Sequence, residues 1–260
     1  MRIATWNVNS IKAHLEQVTS WLKQHKPDVL CLQEIKCEDH SFPVQAMEEL
    51  GYTSAVHGQK TYNGVAILSL HKLEDVRRGL PGDAADEQAR FITATVIKDN
   101  LACRVASLYL PNGNPAPGPK YDYKLAWMKR LESYAKTALQ HEEPLILAGD
   151  FNIIPAPEDV RHPQKWLTDA LYLPQSRQAY RQLLALGLTE SFRSLNPAAS
   201  GDFTFWDYQA GAWPKNNGIR IDHLLLSPQA ADRLQSSFIH KEARGTERPS
   251  DHVPIEITLK

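Results

Sequence analysis

Cysteine is scarce in this chain of 260 residues: Cys31, Cys37 and Cys103 are the only three, and an odd number cannot pair off completely. No two are spaced as CxxC, which argues against a cysteine-built zinc site or a disulfide framework. Cys31 and Cys103 lie inside apolar runs, where cysteine serves as a small hydrophobe. A reducing cytoplasm is therefore the expected compartment. Long apolar runs are missing too. None approaches the roughly 20 residues of a membrane helix, and a first strand starting at Arg2 leaves no room for a signal peptide. Without a Gly/Ser linker or low-complexity tract, one domain over residues 1–260 is expected. Nor is there an excess of one charge. With 29 Lys and Arg against 30 Asp and Glu, the net charge is −1, so a polyanion would have to be gripped by a local basic strip.

What the chain does contain is a recurring unit, a short apolar run that ends in polar residues. Leu145-Ile146-Leu147-Ala148 runs into Gly149-Asp150-Phe151-Asn152, and Ile3-Ala4-Thr5-Trp6 ends in Asn7. Val29-Leu30-Cys31-Leu32 ends in Gln33-Glu34, Val105-Ala106-Ser107-Leu108 ends in Tyr109, and Asp251-His252 opens the run from Val253 to Leu259. Runs of this length read as strands covered on both faces, and their polar ends can converge on one rim. Hard oxygen ligands with one imidazole suit magnesium or manganese and phosphate ester hydrolysis.

Helical spacing is seen between these runs. Ile11, Leu15, Val18 and Leu22 share one face of a helix expected to begin near Asn9 or Ser10 and to stop before Pro27. Further helices are expected after Pro43, over about 121–140 and over about 176–186. Strands are expected near 52–57, 63–69, 90–97, 103–110, 144–149, 203–208, 219–227 and 253–259. Strands outnumber helices and several follow one another directly, so hairpins must make part of the sheet antiparallel. The fold class that uses this inventory is α+β, with two packed mixed sheets and helices outside.

Each candidate residue has a plain alternative. Glu34 could be a solvated charge, and GDFN at 149–152 could be a turn. The glycine permits close backbone approach, and Asp150 and Asn152 can face the same way on extended chain. Asp222, embedded in an apolar run, is costly to bury alone, so it should pair with His252 or form a salt bridge with Arg220. His252 needs such an orienting partner to act on a phosphate near neutral pH. Tyr109 can donate a hydrogen bond or, with its pKa lowered, act as a phenolate.

Eight segments occur in one order: ATWNVNS at 4–10, LQEIK at 32–36, GQKTYNGVAILS at 58–69, LYLPNG at 108–113, GDFNI at 149–153, TFWDY at 204–208, GIRIDHLLLS at 218–227 and SDHVPI at 250–255. Together they resemble the exonuclease III family of apurinic/apyrimidinic endonucleases, within the endonuclease/exonuclease/phosphatase superfamily. The resemblance implies a four-layer αββα sandwich, like that of DNase I, with the site at one edge of both sheets. It implies that Glu34 holds a magnesium ion, for which manganese can substitute, assisted by Asn7 and Asp251. Asp150 would handle the attacking water, Asn152 would orient it or bind a phosphate oxygen, and Asp222 would align His252. His252 and Tyr109 would contact the scissile phosphate. Asn9 and Asn112 are implied as metal-shell and phosphate contacts.

The substrate implied is double-stranded DNA with abasic sites or blocked 3′ ends, cut by a monomer. Phe205, Trp206, Ile219 and Ile221 would flank the pocket for an extruded sugar, although two-sided core packing is the simpler account of Trp206. Some relatives carry tryptophan where this chain has Ile219, which alters the closeness of that pocket. Lys60, Arg90, Lys120, Lys124, Lys215 and Arg220 are candidate phosphate contacts, about half of which should touch DNA. Rival readings are a phosphodiesterase acting on lipid, inositol phosphate or RNA, and a DNA-binding module without catalysis.

Overall fold

Leu224, Leu225 and Leu226 are all buried, yet they belong to different apolar clusters. Leu224 and Leu226 share a cluster with Ile3, Leu30, Ala66 and Ile92, while Leu225 shares one with Trp127, Leu131 and Tyr180. Such alternation requires a strand covered on both faces. The computed structural model, which describes residues 1–260, builds it from two six-stranded sheets. In spatial order the first holds β11 (Leu234–Ile239), β12 (Ile255–Leu259), β1 (Arg2–Asn7), β2 (Val29–Gln33), β4 (Val65–Ser69) and β3 (Thr53–His57). The second holds β5 (Leu73–Arg78), β6 (Phe91–Lys98), β7 (Leu101–Tyr109), β8 (Leu145–Asp150), β10 (Asp222–Leu226) and β9 (Thr189–Glu190).

The larger cluster joins the facing sides of the two sheets. Helix α1 (Leu15–His25) covers the first sheet through Val18, Trp21 and Leu22, after which come a short α2 (Val44–Glu48) and the long α3 (Pro119–Leu139). Helices α3 and α4 (Pro174–Ala185) cover the second sheet through Trp127, Leu131 and Leu183. This is the αββα sandwich. Short α5 (Ser191–Leu195) and α6 (Pro228–Ala231) complete the helices.

Only β1–β2 and β7–β8 run parallel, each pair joined by a helical crossover, α1 or α3. Their carboxyl ends lie on one rim, which is where the site is assembled. Gln33 fastens the sheets just beneath it. Its Nε2 donates to Thr5 Oγ1 and to Ser107 Oγ, both at 3.0 Å, and the Ser107 hydroxyl donates to the Leu32 carbonyl at 2.9 Å.

Three expectations need correction. The first helix starts at Leu15 rather than near Asn9. Asn9 and Ser10 have φ of 43° and 89°, and the N–H groups of Ser10 and Ile11 go to the carbonyls of Glu34 and Ile35 instead of opening a helix. Residues 203–208 are not a strand but an irregular segment, joined to its neighbours by isolated bridges at Phe205 and by backbone bonds of Thr204 and Trp206. The strand expected from 219 begins at Asp222, because the preceding backbone groups bond to Phe205, Asp159, Phe151 and the Thr204 hydroxyl. The strands with no sequence signal, β5 (LEDVRR) and β11 (LQSSFI), are half-exposed edge strands, where polar residues guard an open edge.

Where β8 passes β7, only glycine fits. A Cβ on Gly149 would sit 1.9 Å from the Leu108 carbonyl oxygen. Gly149→Ala is therefore expected to force the two strands apart and to cost about 3 kcal/mol or more, above ordinary overpacking. Urea unfolding of the variant measures this directly, and an unchanged midpoint would contradict it.

Candidate active site

Strand pairing sets the site before any side chain is considered. Asp150, the last residue of β8, is paired with Tyr109 of β7 on one side and Asp222 of β10 on the other. Across the sandwich Asn7 ends β1 beside Gln33, and Glu34 follows. Glu34 and Asn152 have φ of 49° and 47°, left-handed conformations that cost energy outside glycine and concentrate at functional sites.

Asn7 joins the two sheets' acids. Its Nδ2 donates to Glu34 Oε1 at 2.8 Å and to Asp150 Oδ2 at 2.9 Å, while its Oδ1 accepts from the Asn9 N–H. Asp150 Oδ1 accepts the Asn152 N–H at 2.8 Å, and Asn152 Nδ2 donates to the Leu110 carbonyl. Asp222 Oδ2 lies 2.8 Å from His252 Nδ1, and His252 Nε2 lies 3.9 Å from Asp150 Oδ2. A line of charge thus runs from buried Asp222 through the imidazole to Asp150.

The electrostatics follow from burial. Burial pushes the His252 pKa down, but the carboxylates of Asp222, Asp150 and Asp251 outweigh it and keep the ring protonated above its ordinary range. Burial and the Asp222 charge raise Asp150 well above a free carboxyl, against His252 and the Asn152 and Asn7 donors. Glu34 goes the other way: despite burial, the Lys36 ammonium at 2.9 Å and the Asn7 amide hold it below the carboxyl range. Burial, Glu34 and Asp150 all raise Tyr109, so it is a phenol that donates and not a phenolate.

Glu34, Asp150 and His252 each place a ligand atom within 4.8 Å of the others. His252 Nδ1 is engaged by Asp222, and the Glu34 and Asp150 carboxyls supply two oxygen donors close together. That donor set fits a hard divalent cation. Asp251 lies outside this close trio, and the Asn7 amide presents its nitrogen to the acids and its oxygen to Asn9.

A family model described as Endonuclease/Exonuclease/phosphatase matches residues 4–252. Exodeoxyribonuclease III of Haemophilus influenzae is 35% identical over the whole of both chains. The chain belongs to this family, in its exonuclease III branch. Solved structures agree. An AP endonuclease from Archaeoglobus fulgidus superposes with a TM-score of 0.93 at 36% identity, covering all of this chain and 99% of the other. A Neisseria 3′ phosphatase bound to a product DNA hairpin gives a TM-score of 0.96 at 39% identity, with the same coverage.

In this member of the family, several expected DNA contacts are elsewhere. Arg220 is fully buried: its Nε donates to Asp159 Oδ1 at 2.8 Å and its Nη1 to Glu190 Oε1 at 3.0 Å, so it cannot reach a phosphate. An arginine inside an apolar run was held by two interior carboxylates, not by solvent. Trp206 is likewise buried, edge-on to Phe203 and Trp213, with Nε1 donating to Asn216. Ile219 and Ile221 are buried in one apolar cluster with Val160 and Leu171 and are closed to a bound sugar. Phe205, half-buried, has its ring 4.9 Å from that of His252 and is the one residue of the four placed beside the reacting groups.

Lys60, Lys120 and Lys215 are exposed. The Arg90 guanidinium lies 4.8 Å over the Tyr109 ring, at the rim. Asn112 is exposed and donates to Asn152 Oδ1 at 3.2 Å; Asn9 donates to the Tyr208 hydroxyl at 3.4 Å. Lys124 is not a surface cation at all. Buried in α3, it donates to the backbone carbonyls of Asn152 at 2.6 Å and Asn112 at 3.0 Å, and burial lowers its pKa to about 7.

Other positioning groups had no signal of their own. Thr204 Oγ1 accepts the N–H groups of Ile221 and Asp222, Ser250 Oγ donates to the Asn7 carbonyl at 2.8 Å, and Trp6 Nε1 donates to the His252 carbonyl at 3.0 Å. All three lie inside matched motifs, which is the one way they could have been found. Glu190 is a further case. Burial alone would raise its pKa, but Arg220, His223 and the Arg193 N–H hold it at about 2, below its ordinary 4.5. A depressed folded-state pKa stabilises above the unfolded value and is lost as pH falls through the folded one. Stability should thus drop between pH 4.5 and about 2, and less steeply in Glu190→Gln, in urea titrations across that window.

Proposed function

We propose that this chain is a divalent-metal-dependent DNA repair nuclease that hydrolyses the phosphodiester 5′ of an abasic site in duplex DNA and leaves a 3′ hydroxyl. The same chemistry would remove 3′ phosphates and other blocked 3′ ends and trim 3′ nucleotides. One observation supports this most: an interior Asp222–His252–Asp150 line meets Glu34 and Asn7 across the seam between the two sheets. Magnesium, with manganese as a substitute, is the proposed cofactor, held through Glu34 and Asp150 with Asn7, Asn9 and Asp251 around it. It would supply polarisation of the phosphoryl group and charge neutralisation for the leaving 3′ oxygen.

The chain's own groups carry the remaining steps. The His252 imidazolium, kept charged by Asp222, places a donor on the phosphate, where negative charge builds during in-line attack. Tyr109 donates its O–H to the same group. Asp150 Oδ2, aimed into the site, takes the proton of the attacking water, and the Asn152 N–H fixes the rotation of that carboxylate. An extruded sugar would rest beside Phe205, and flipping costs least where a base is already missing. Lys60, Arg90 and Asn112 hold flanking phosphates. The enzyme would act as a cytoplasmic one-domain monomer. No helix is long and apolar enough to cross a membrane, and all three cysteines are free.

End-labelled duplexes test this: one with an abasic analogue, one with a recessed 3′ end and one with a 3′ phosphate, each with magnesium or with EDTA. The expected result is magnesium-dependent incision 5′ of the analogue. Cleavage of a generic phosphodiester with none of the three duplexes cut would refute the substrate. With few phosphate contacts, log affinity should fall linearly with log salt, and Lys60→Ala should reduce that slope by about 1.

A further inference from the structure

The chain holds a second cluster of ligating side chains, at the other end of β1 from the nuclease site. Arg2 donates to the carbonyl of His25, the last residue of α1, whereas Asn7 marks the nuclease end. Five residues of strand separate the two ends by about 16 Å. The His25 ring packs 4.6 Å from that of His240 and 4.8 Å from that of Trp21. Glu242 Oε1 lies 3.0 Å from His240 Nδ1. One ring nitrogen of each histidine and one Glu242 oxygen fall within 4.8 Å of one another.

Hydrogen bonding within the protein leaves this cluster incomplete. His240 is only 6% exposed, yet its Nε2 has no hydrogen-bond partner. The nearest acid, Glu256 at 3.9 Å, is already taken by Arg2 at 2.9 Å. Trp21 Nε1 and His14 Nδ1 are buried and unpartnered as well, and both residues line a groove of about 410 Å³ together with His25 and Glu242. Buried polar atoms are rarely left unsatisfied, and the unpartnered His240 Nε2 is the open group of this cluster.

We propose that His25, His240 and Glu242 form a site for a zinc-class divalent cation, distinct from the nuclease metal, with its open position facing the groove. Two imidazoles and a carboxylate select zinc, cobalt or nickel over magnesium, which prefers oxygen and retains water. Bonds of about 2.0–2.1 Å require ligand atoms about 3.3 Å apart. The Glu242 side chain is 58% exposed and free to close that distance. A bound ion would pin the end of α1 to the turn at Lys241–Gly245.

The test uses the full chain, stripped with EDTA, in a Glu34→Ala background that removes the nuclease cluster. Titration with Co2+ should give one equivalent with visible absorption, displaced by Zn2+ and not by excess Mg2+. His25→Gln and His240→Gln, each added to that background, should weaken binding at least about 100-fold, and Glu242→Gln, on an exposed side chain that cannot disturb folding, about tenfold. Loss of all Co2+ binding in Glu34→Ala alone would overturn the site. So would unchanged affinity in Glu242→Gln, or in either histidine variant that retains the parent's melting temperature.

Discussion

Asp150→Asn should remain folded and bind duplex DNA while losing incision at an abasic analogue by about 10²–10⁴-fold, the range for a positioned proton carrier. The substitution keeps shape and replaces the carboxylate that takes the proton and faces the metal by a neutral amide. Its environment explains why stability should not suffer: burial and Asp222 already disfavour the charged carboxyl, so a neutral amide relieves a penalty in metal-free protein. The Asn7 amide would then face another amide instead of a carboxylate, a small loss beside that relief. Single-turnover incision and urea unfolding are the paired measurements. Incision within tenfold of the parent would eliminate Asp150 as the proton carrier, and a large stability loss would assign it a structural role instead.

Arg220→Ala should do the reverse. It leaves Asp159 and Glu190 buried without their shared guanidinium, and breaking a buried ion pair from one side costs about 3–5 kcal/mol. The salt dependence of DNA binding, measured at a temperature where the variant is folded, should keep the parent's slope, because no phosphate contact has been removed. A stable variant with a shallower slope would return Arg220 to the DNA surface. The two substitutions separate what the site does from what holds it up.

Sequence reading located the rim because period and pairing are local. Asn7, Glu34, Tyr109, Asp150 and His252 each stand at the end of an apolar run, Asp222 lies inside one, and in the structure the runs place them together. It failed where an interior demand overrode a surface rule. Arg220 and Lys124 look like ordinary phosphate-binding cations, but burial among carboxylates or carbonyls is decided by partners distant in the chain, Asp159, Glu190, Asn112 and Asn152. Residues 203–208 have strand composition, yet their backbone groups are shared with bends and single bridges that no composition records. Strands β5 and β11 were invisible for the opposite reason: an edge is protected by polarity, which erases the apolar signal.

The seam under the reacting groups has a mechanical meaning. Asn7, Glu34 and His252 ride on one plate, Tyr109, Asp150 and Asp222 on the other, and the Gln33–Ser107 rivet sets their offset. A slip of one residue, about 3.3 Å, would part Asp222 from His252 and Asn7 from Asp150 together, while leaving each plate intact. The enzyme is in this sense a vernier: its chemistry reads the alignment of two rigid scales. Substitutions deep between the plates, touching neither DNA nor metal, can therefore silence it by moving one scale against the other.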